Sequence, residues 1–131
     1  MKTNGRLVLD TNAAIAALGD DAALLRELER SSEWLLPSVV LGELFYGAYG
    51  STRVRSNLSR ISDFVGLCTV VAVDQDTALF YGRLRTELRF AGRPIPSNDA
   101  WIASLCRQHS VPLLSRDRHF DVVEGLQVVN W

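Results

Sequence analysis

Short apolar runs alternate with longer helix-forming stretches along almost the whole of this chain. The runs are residues 6–9, 34–36, 69–73, 112–115 and 126–129. The first contains Leu7-Val8-Leu9 and is apolar on both faces, which is typical of a strand buried inside a parallel sheet. Between the runs, apolar residues recur along one helix face, as at Leu24, Leu25 and Leu28. This alternation predicts an α/β fold with a mostly parallel central sheet.

Helices are predicted between these strands, and most begin beside a residue that can cap a helix. The predicted helices are 13–18, 22–30, 39–49, 54–65, a long one from 74 or 76 to 91, and 99–109. Their predicted N-caps are Thr11 or Asn12, Asp21, Ser38 and Ser97, whose side-chain oxygens can accept a hydrogen bond from the first turn. Gly92 is predicted to end the long helix.

The size and composition of the chain suit one soluble globular domain covering residues 1–131. The sequence is 47% hydrophobic and 22% charged, and its formal net charge of −1 favours no particular class of partner. The first nine residues contain no signal-peptide core, and the longest apolar run, 64–73, is too short to span a bilayer. We therefore expect a cytoplasmic protein in which Cys68 and Cys106 are buried free thiols.

Four acidic residues stand where one predicted element meets the next: Asp10, Glu43, Asp99 and Asp117. Asp10 and Asp117 each follow an apolar strand, and Asp99 lies in the first turn of a predicted helix. Because the carboxyl ends of parallel strands share one edge of a sheet, we expect Asp10 and Asp117 to meet there. Glu43 interrupts the apolar segment 39–45, where a buried carboxylate would need a compensating partner.

A divalent metal ion is the simplest partner for converging carboxylates, because like charges otherwise raise each other's pKa. Carboxylate and water ligands suit Mg²⁺ or Mn²⁺, whereas zinc is disfavoured because His109 and His119 are the only histidines. The chemistry that fits such a site is metal-assisted hydrolysis of a phosphodiester. Each acid also has a purely structural interpretation that stays open here, as a helix cap, a helix-dipole partner, the start of a turn or the partner of an arginine.

The segments around the four acids resemble the PIN-domain family, and in particular the VapC-type toxins of bacterial toxin–antitoxin pairs. The matching segments are 8–12, 38–47, 96–103 and 113–120, in the order in which the family has them. The resemblance implies a three-layer α/β/α sandwich and an endoribonuclease that depends on Mg²⁺ or Mn²⁺. It also implies that Asp10, Glu43, Asp99 and Asp117 form an acidic quartet that binds the metal and carries out catalysis.

The same resemblance suggests supporting residues and partners. Ser115 matches a small hydroxyl residue that supports such sites, Asn12 and Asn98 are candidates for residues that orient the acids, and Asp121 is a lower-ranked additional acid. The partners it implies are an RNA substrate, a second copy of the chain in a homodimer, and a cognate antitoxin that wraps around the toxin and blocks its site.

Contacts to RNA phosphates are expected from arginines, with Arg85 and Arg89 four residues apart on one helix face. The alternative from a different class is a catalytically silent PIN-like module that binds RNA or protein. Two other acid-site folds fit less well. A receiver domain needs a lysine late in the chain, but the only lysine of this sequence is Lys2. A haloacid dehalogenase-type phosphatase needs an acidic residue at the position of Asn12.

Overall fold

The computed structural model describes residues 4–131 and contains a five-stranded sheet. The strands are β1 Asn4–Leu9, β2 Ser31–Pro37, β3 Thr69–Val71, β4 Leu113–Leu114 and β5 Val128–Val129. Their spatial order is β3-β2-β1-β4-β5, and within the described residues every pairing of neighbouring strands is parallel. The predicted α/β class is therefore confirmed, although β3, β4 and β5 are shorter than the apolar runs suggested.

Helices cover both faces of this sheet. They are α1 Thr11–Leu18, α2 Ala22–Glu29, α3 Ser38–Tyr49, α4 Val54–Val65, α5 Gln75–Phe90 and α6 Ser97–His109, with a 3₁₀ helix at Arg118–Val122. The helices α1 to α4 pack among themselves, whereas α5 packs mainly on α6. These helices on the two faces of one sheet form the three-layer α/β/α sandwich that the resemblance implied, and α3 also contacts α6.

The strand order places a switch point between β1 and β4. The chain moves outward from β1 through β2 to β3, and then returns to the other side of β1 to form β4. Connections on either side of such a point leave on opposite faces of the sheet, so a crevice opens at the carboxyl ends of β1 and β4. Asp10 and Ser115 directly follow these two strands and lie at this crevice.

The strands beside the crevice form the rigid centre of the core. Leu7 and Leu9 of β1 and both leucines of β4 are 0% exposed. Truncating a fully buried leucine to alanine usually costs about 2–5 kcal/mol, so these side chains hold the strand ends firmly in place. Residues attached to those ends therefore have well-defined positions.

The start of α1 differs from the prediction that Thr11 or Asn12 caps it. The N-cap is Asp10, whose Oδ1 accepts a 2.7 Å hydrogen bond from the backbone N–H of Ala13. β1 ends at Leu9 and the helix begins at Thr11, two residues earlier than the spacing suggested. Asp21 caps α2 as predicted, accepting from the N–H of Leu24 at 3.0 Å.

Two serines predicted as N-caps are already inside their helices. The N-caps of α3 and α6 are Pro37 and Pro96, whose extended backbone directs the chain into the first turn. The freed hydroxyls bind elsewhere: Ser38 Oγ accepts from the N–H of Val73 at 3.2 Å. The long helix α5 ends at Phe90, and Gly92 follows with a φ of +68°, as expected for a glycine beyond a helix terminus. Among the described residues, none of the helices combines the length and apolarity needed to cross a membrane.

Candidate active site

Asp10 joins the end of β1 to the start of α1 and is only 3% exposed. Its Oδ1 accepts from the N–H of Ala13, and its Oδ2 accepts from the hydroxyl of Ser115 at 2.5 Å. Both carboxylate oxygens are therefore held in fixed directions. The structural interpretation of Asp10 as a helix cap holds, and the same geometry presents the carboxylate to the crevice.

Ser115 links the two strand ends across the crevice. It is 1% exposed and directly follows β4. Its hydroxyl donates to Asp10 and accepts a 2.9 Å bond from the backbone N–H of Asp117. A single buried hydroxyl thus fixes the position of Asp10 relative to the loop that carries Asp117.

Asp99, Asp117 and His119 form the part of the site that is open to solvent. The Nδ1 of His119 lies 2.9 Å from Asp99 Oδ2 and 3.3 Å from Asp117 Oδ1. One ligand atom from each of these three residues lies within 4.8 Å of the others. Their side chains are 17%, 27% and 55% exposed in that order, so the cluster is reached from outside through His119.

The electrostatics of these residues show that negative charge is crowded here. Burial raises the pKa of Asp10, with further increases from the charges of Asp117 and Asp99, while the bonds from Ser115 and Ala13 oppose them. Burial also raises the pKa of Asp99, against the hydrogen bond to His119. The hydrogen bond to Asp99, followed by the charge of Asp117, raises the pKa of the His119 imidazole. A cation placed among the three aspartates would relieve this repulsion.

Glu43 lies at the edge of the site, but it is exposed, so the expectation that it is buried in an apolar helix is wrong. The buried side of α3 is formed by Val40, Leu44 and Ala48, and Glu43 falls outside that stripe. The Oε1 of Glu43 accepts a 3.0 Å bond from Asn98 Nδ2. Since Asn98 directly precedes Asp99 in α6, this bond ties Glu43 to the turn that carries an acid of the cluster.

Comparison with known proteins identifies this arrangement. Residues 7–126 match the PIN domain. The chain belongs to the PIN domain family.

Relatives of this PIN domain carry names that state an activity. It is 33% identical over 129 residues to a tRNA(fMet)-specific endonuclease VapC of Shigella flexneri, covering 96% of this chain and 98% of that protein. It is 30% identical over 129 residues to the ribonuclease VapC2 of Haemophilus influenzae, with the same shares covered.

Solved structures agree with the fold of this PIN domain. The VapBC2 complex of Rickettsia felis, bound to a DNA fragment from its promoter, contains a chain that matches with a TM-score of 0.89 at 27% identity. DNA-bound VapBC from Salmonella typhimurium matches with a TM-score of 0.88 at 26% identity. Both matches cover 96% of this chain and 98% of the solved one.

Two residues suggested from the sequence lie outside the crowded centre of the PIN domain. Asn12 is exposed in the first turn of α1. Asp121 is 59% exposed and pairs with Arg118 at 3.4 Å, so its carboxylate is engaged on the surface. Asp121 is not part of the group formed by Asp99, Asp117 and His119 in the described part of the chain, and neither are Asp10 and Glu43, which lie farther from it.

His119 was not among the site residues predicted from the sequence, although the structure places it beside Asp99 and Asp117. The available signal was its position, two residues after Asp117 and directly before Phe120, which is 1% exposed. A buried phenylalanine anchors this short 3₁₀ helix, and the histidine beside it is thereby directed toward Asp99. That contact spans 20 positions and could not be read from local sequence.

Proposed function

We propose that this PIN domain is a metal-dependent endoribonuclease, and that it is the toxin of a type II toxin–antitoxin pair. The observation that carries the proposal is the close approach of Asp99 and Asp117 beside His119, next to the buried Asp10, whose pKa is raised first by burial and then by the charges of Asp117 and Asp99. The names of the VapC relatives and the VapBC complexes support the activity and the partner.

Mg²⁺ or Mn²⁺ fits the donors that the site offers. The ligands in our proposal are Asp10, Glu43, Asp99 and Asp117, all of which supply carboxylate oxygens, the donors preferred by hard divalent ions. The crowded charge described above is what a cation would offset. When bound, such an ion polarises a phosphoryl oxygen and lowers the pKa of water.

The protein's own residues hold this site ready for the reaction. Ser115 and the N–H of Ala13 keep the Asp10 carboxylate from rotating, and Asn98 orients Glu43 from the first turn of α6. Asp99 lies in that same first turn, where the positive end of the helix dipole favours the ionised carboxylate. Fixed ligands lose little conformational entropy when substrate and metal bind.

A basic groove beside the site suits an RNA backbone. It has a volume of about 420 Å³ and is lined by Arg85, Thr86, Leu88, Arg89, Pro94 and Ile95. The Nη1 of Arg85 donates to Ser97 Oγ at 3.2 Å, two residues before Asp99, so the groove adjoins the acidic cluster. Guanidinium groups bind phosphates well, and we propose that RNA lies along this groove.

A second groove suits the antitoxin. It has a volume of about 200 Å³, and its apolar wall includes Ile15, Leu18, Leu44 and Ile61, with Glu43 among its lining residues. Ile15 is 53% exposed and lies next to the other apolar residues of this groove, so together they form an apolar surface open to solvent. We propose that an apolar segment of the antitoxin binds here, where it would also cover Glu43.

A homodimer is the remaining part of the proposal. Tyr46 and Tyr49 on α3 are 80% and 67% exposed, and Phe90 on α5 is 78% exposed. Exposed aromatic residues are enriched at protein interfaces. Sedimentation velocity on the free protein measures its mass, and a monomer at all concentrations would remove this part of the proposal.

Substitution of the clustered aspartates tests the nuclease assignment. We expect Asp99→Asn and Asp117→Asn each to reduce RNA cleavage at least about 100-fold and to abolish growth arrest on expression. Arg118→Ala is the matched control, because Arg118 is 92% exposed and pairs with Asp121 on the surface. If both aspartate variants cleaved RNA normally, the proposed metal mechanism would be wrong, whereas a wild-type protein that cleaves no RNA would favour the catalytically silent binding module.

A further inference from the structure

His119 places a nitrogen atom beside two of the proposed metal ligands. Its Nδ1 is 2.9 Å from Asp99 Oδ2 and 3.3 Å from Asp117 Oδ1. No other histidine takes part in a group of potential metal ligands within the described residues. The acidic quartet contains only oxygen donors, so the imidazole adds a different kind of ligand to the site.

The two distances match the geometry of an octahedral metal shell. Neighbouring ligands about 2.1 Å from an ion are separated by about 3.0 Å, the length of an octahedral edge. The two separations from Nδ1 to the carboxylate oxygens lie on either side of that value. An ordinary hydrogen bond has a similar length. The same positions therefore allow the nitrogen to serve either as a hydrogen-bond donor or as a ligand.

The backbone around His119 is held while the ring stays accessible. The N–H of His119 donates to Asp117 Oδ1 at 2.9 Å, and the next residue, Phe120, is 1% exposed. The His119 side chain itself is 55% exposed. The ring is thus held beside Asp99 and Asp117, and its exposure leaves room for it to turn from a hydrogen bond with Asp99 to a bond with a metal ion.

We propose that His119 ligates the metal ion through Nδ1, and that it shifts the preference of the site toward Mn²⁺ and away from Mg²⁺. This inference rests on the metal site of the proposed function. Imidazole binds first-row transition ions more readily than it binds Mg²⁺, which favours an all-oxygen shell. A site with one nitrogen ligand should therefore discriminate between the two ions more strongly than one built from carboxylates alone.

Pulsed electron paramagnetic resonance of bound Mn²⁺ tests the ligand directly. The sample is the whole chain without a histidine tag, because a tag would supply other imidazoles. We expect the spin echo of the wild-type complex to show modulation from a directly bound imidazole nitrogen. That modulation should disappear in His119→Phe, which keeps a ring of similar size and removes both nitrogens. His119→Ala serves as the second variant, and circular dichroism checks that both fold.

Calorimetric titration of each ion measures the shift in preference. We expect His119→Phe to weaken Mn²⁺ binding about tenfold and Mg²⁺ binding by less than about threefold. Arg118→Ala, one residue away and fully on the surface, should leave the ratio of the two affinities unchanged. A role of His119 in structure alone would weaken both ions equally, and that result would overturn the inference.

The outcomes separate this inference from the proposed function. If the wild-type protein binds Mn²⁺ without nitrogen modulation, or if the modulation survives in His119→Phe, His119 is not a ligand and the nuclease proposal stands. If the wild-type protein binds neither Mn²⁺ nor Mg²⁺, the metal site and the inference fail together.

Discussion

The Asp10 carboxylate has two opposing effects on the stability of the fold when no cation is bound: its hydrogen bonds stabilise the fold and its buried charge destabilises it. It caps α1 and binds the Ser115 hydroxyl, which stabilises the fold. Its burial and the nearby charges of Asp99 and Asp117 raise its pKa, which means that the native state disfavours the ionised form. At neutral pH the fold therefore carries a cost that a neutral side chain of the same shape would avoid.

Asp10→Asn should keep the cap of α1 and remove the buried charge. We expect the variant to raise the melting temperature of the metal-free protein by about 4 °C, or about 1 kcal/mol, because the amide oxygen can still cap α1, the amide nitrogen can donate to Ser115 Oγ, and the buried charge is gone. RNA cleavage should fall by at least about 100-fold, since one proposed ligand is lost.

Thermal denaturation in a chelating buffer measures the first effect of Asp10→Asn, and an RNA cleavage assay measures the second. Asp21→Asn is a suitable control, because Asp21 caps α2 away from the acidic cluster. A lower melting temperature for Asp10→Asn than for the control would show that the charge of Asp10 stabilises the metal-free fold, against our expectation.

At single residues, the sequence predicted local positions better than distant contacts. Asp10 and Asp117 could be placed at the crevice because each follows an apolar strand. The exposure of Glu43 was mispredicted, because its flanking residues are apolar and its true position depends on where α3 packs. The bond between Ser115 and Asp10 spans 105 positions and was not predicted; the family resemblance suggested only that Ser115 supports the site.

The two helices of one layer connect the basic groove to the site. Arg85 of α5 donates to Tyr81 at 2.7 Å and to Ser97 of α6, and the Tyr81 ring stacks on Trp101 with centroids 3.7 Å apart. Trp101 is thereby engaged by a packing partner, as expected for an aromatic residue near a helix start. Arg85 joins α5 to α6 through its bond to Ser97, so its substitution could disturb the fold as well as RNA binding. Arg89 is therefore the better residue to test.

Arg89→Ala should weaken RNA binding and reduce its dependence on salt. Arg89 lines the groove, and one lost phosphate contact lowers the slope of log affinity against log salt by about 0.7–1. Binding titrations of a cleavage-inactive Asp99→Asn background over several salt concentrations measure this slope. Arg83→Ala is the matched control, since Arg83 lies on a different face of α5. Equal slopes for the two variants would exclude a specific role for this groove.

The groove between α1, α3 and α4 is the proposed antitoxin site, and a charge placed in it should weaken antitoxin binding. Ile15→Asp should weaken binding of the cognate antitoxin at least about tenfold, because a carboxylate would be buried against Leu18 and Ile61. Leu79→Asp is the matched control: Leu79 is 54% exposed on α5, nearly the same as Ile15, but lies outside this groove. Calorimetric titration with the purified antitoxin compares the two, and an equal loss in both variants would place the partner elsewhere.

Most helices and strands could be predicted from the sequence, because each depends on short-range patterns of apolar and capping residues. The runs of β1 and β4 are apolar on both faces, and α4 was predicted with the bounds that it has, Val54–Val65. Besides the lengths of β3, β4 and β5 and the start of α1, the errors concern two helix starts at which a proline is followed by a serine and either residue could be the cap. In α3 and α6 the extended backbone of the proline decides that choice, and the serine joins the first turn.

For the molecule as a whole, the site makes stability depend on pH in a defined direction. The pKa values of Asp10 and Asp99 are raised in the native state, so their contribution to stability is greatest at low pH and is lost as pH rises past the ordinary carboxyl value of about 4. The pKa of His119 is also raised, so its contribution is lost as pH rises above about 6.5. The pKa of Asp74 is lowered by hydrogen bonds from Thr77, and that contribution changes only in more acidic solution.

Metal binding should reverse this trend. In a chelating buffer, we expect the melting temperature to fall as pH rises from about 4 to about 8, because Asp10, Asp99 and His119 lose protons that the native state holds more tightly. With Mn²⁺ present, the melting temperature should instead rise over the same range, because the ion binds the deprotonated groups. An ion at about 100 times its dissociation constant adds about 2.7 kcal/mol, or about 10 °C for a chain of this length.

Asp117→Asn isolates the origin of that reversal, because it removes one charge from the cluster while keeping an oxygen that can accept from the N–H of His119. In this variant the fall without metal should be shallower and the rise with Mn²⁺ should be absent. Differential scanning calorimetry at matched ionic strength measures all four curves. A wild-type melting temperature that falls equally with and without Mn²⁺ would mean that the ion does not bind the folded cluster, and the proposed metal site would be wrong.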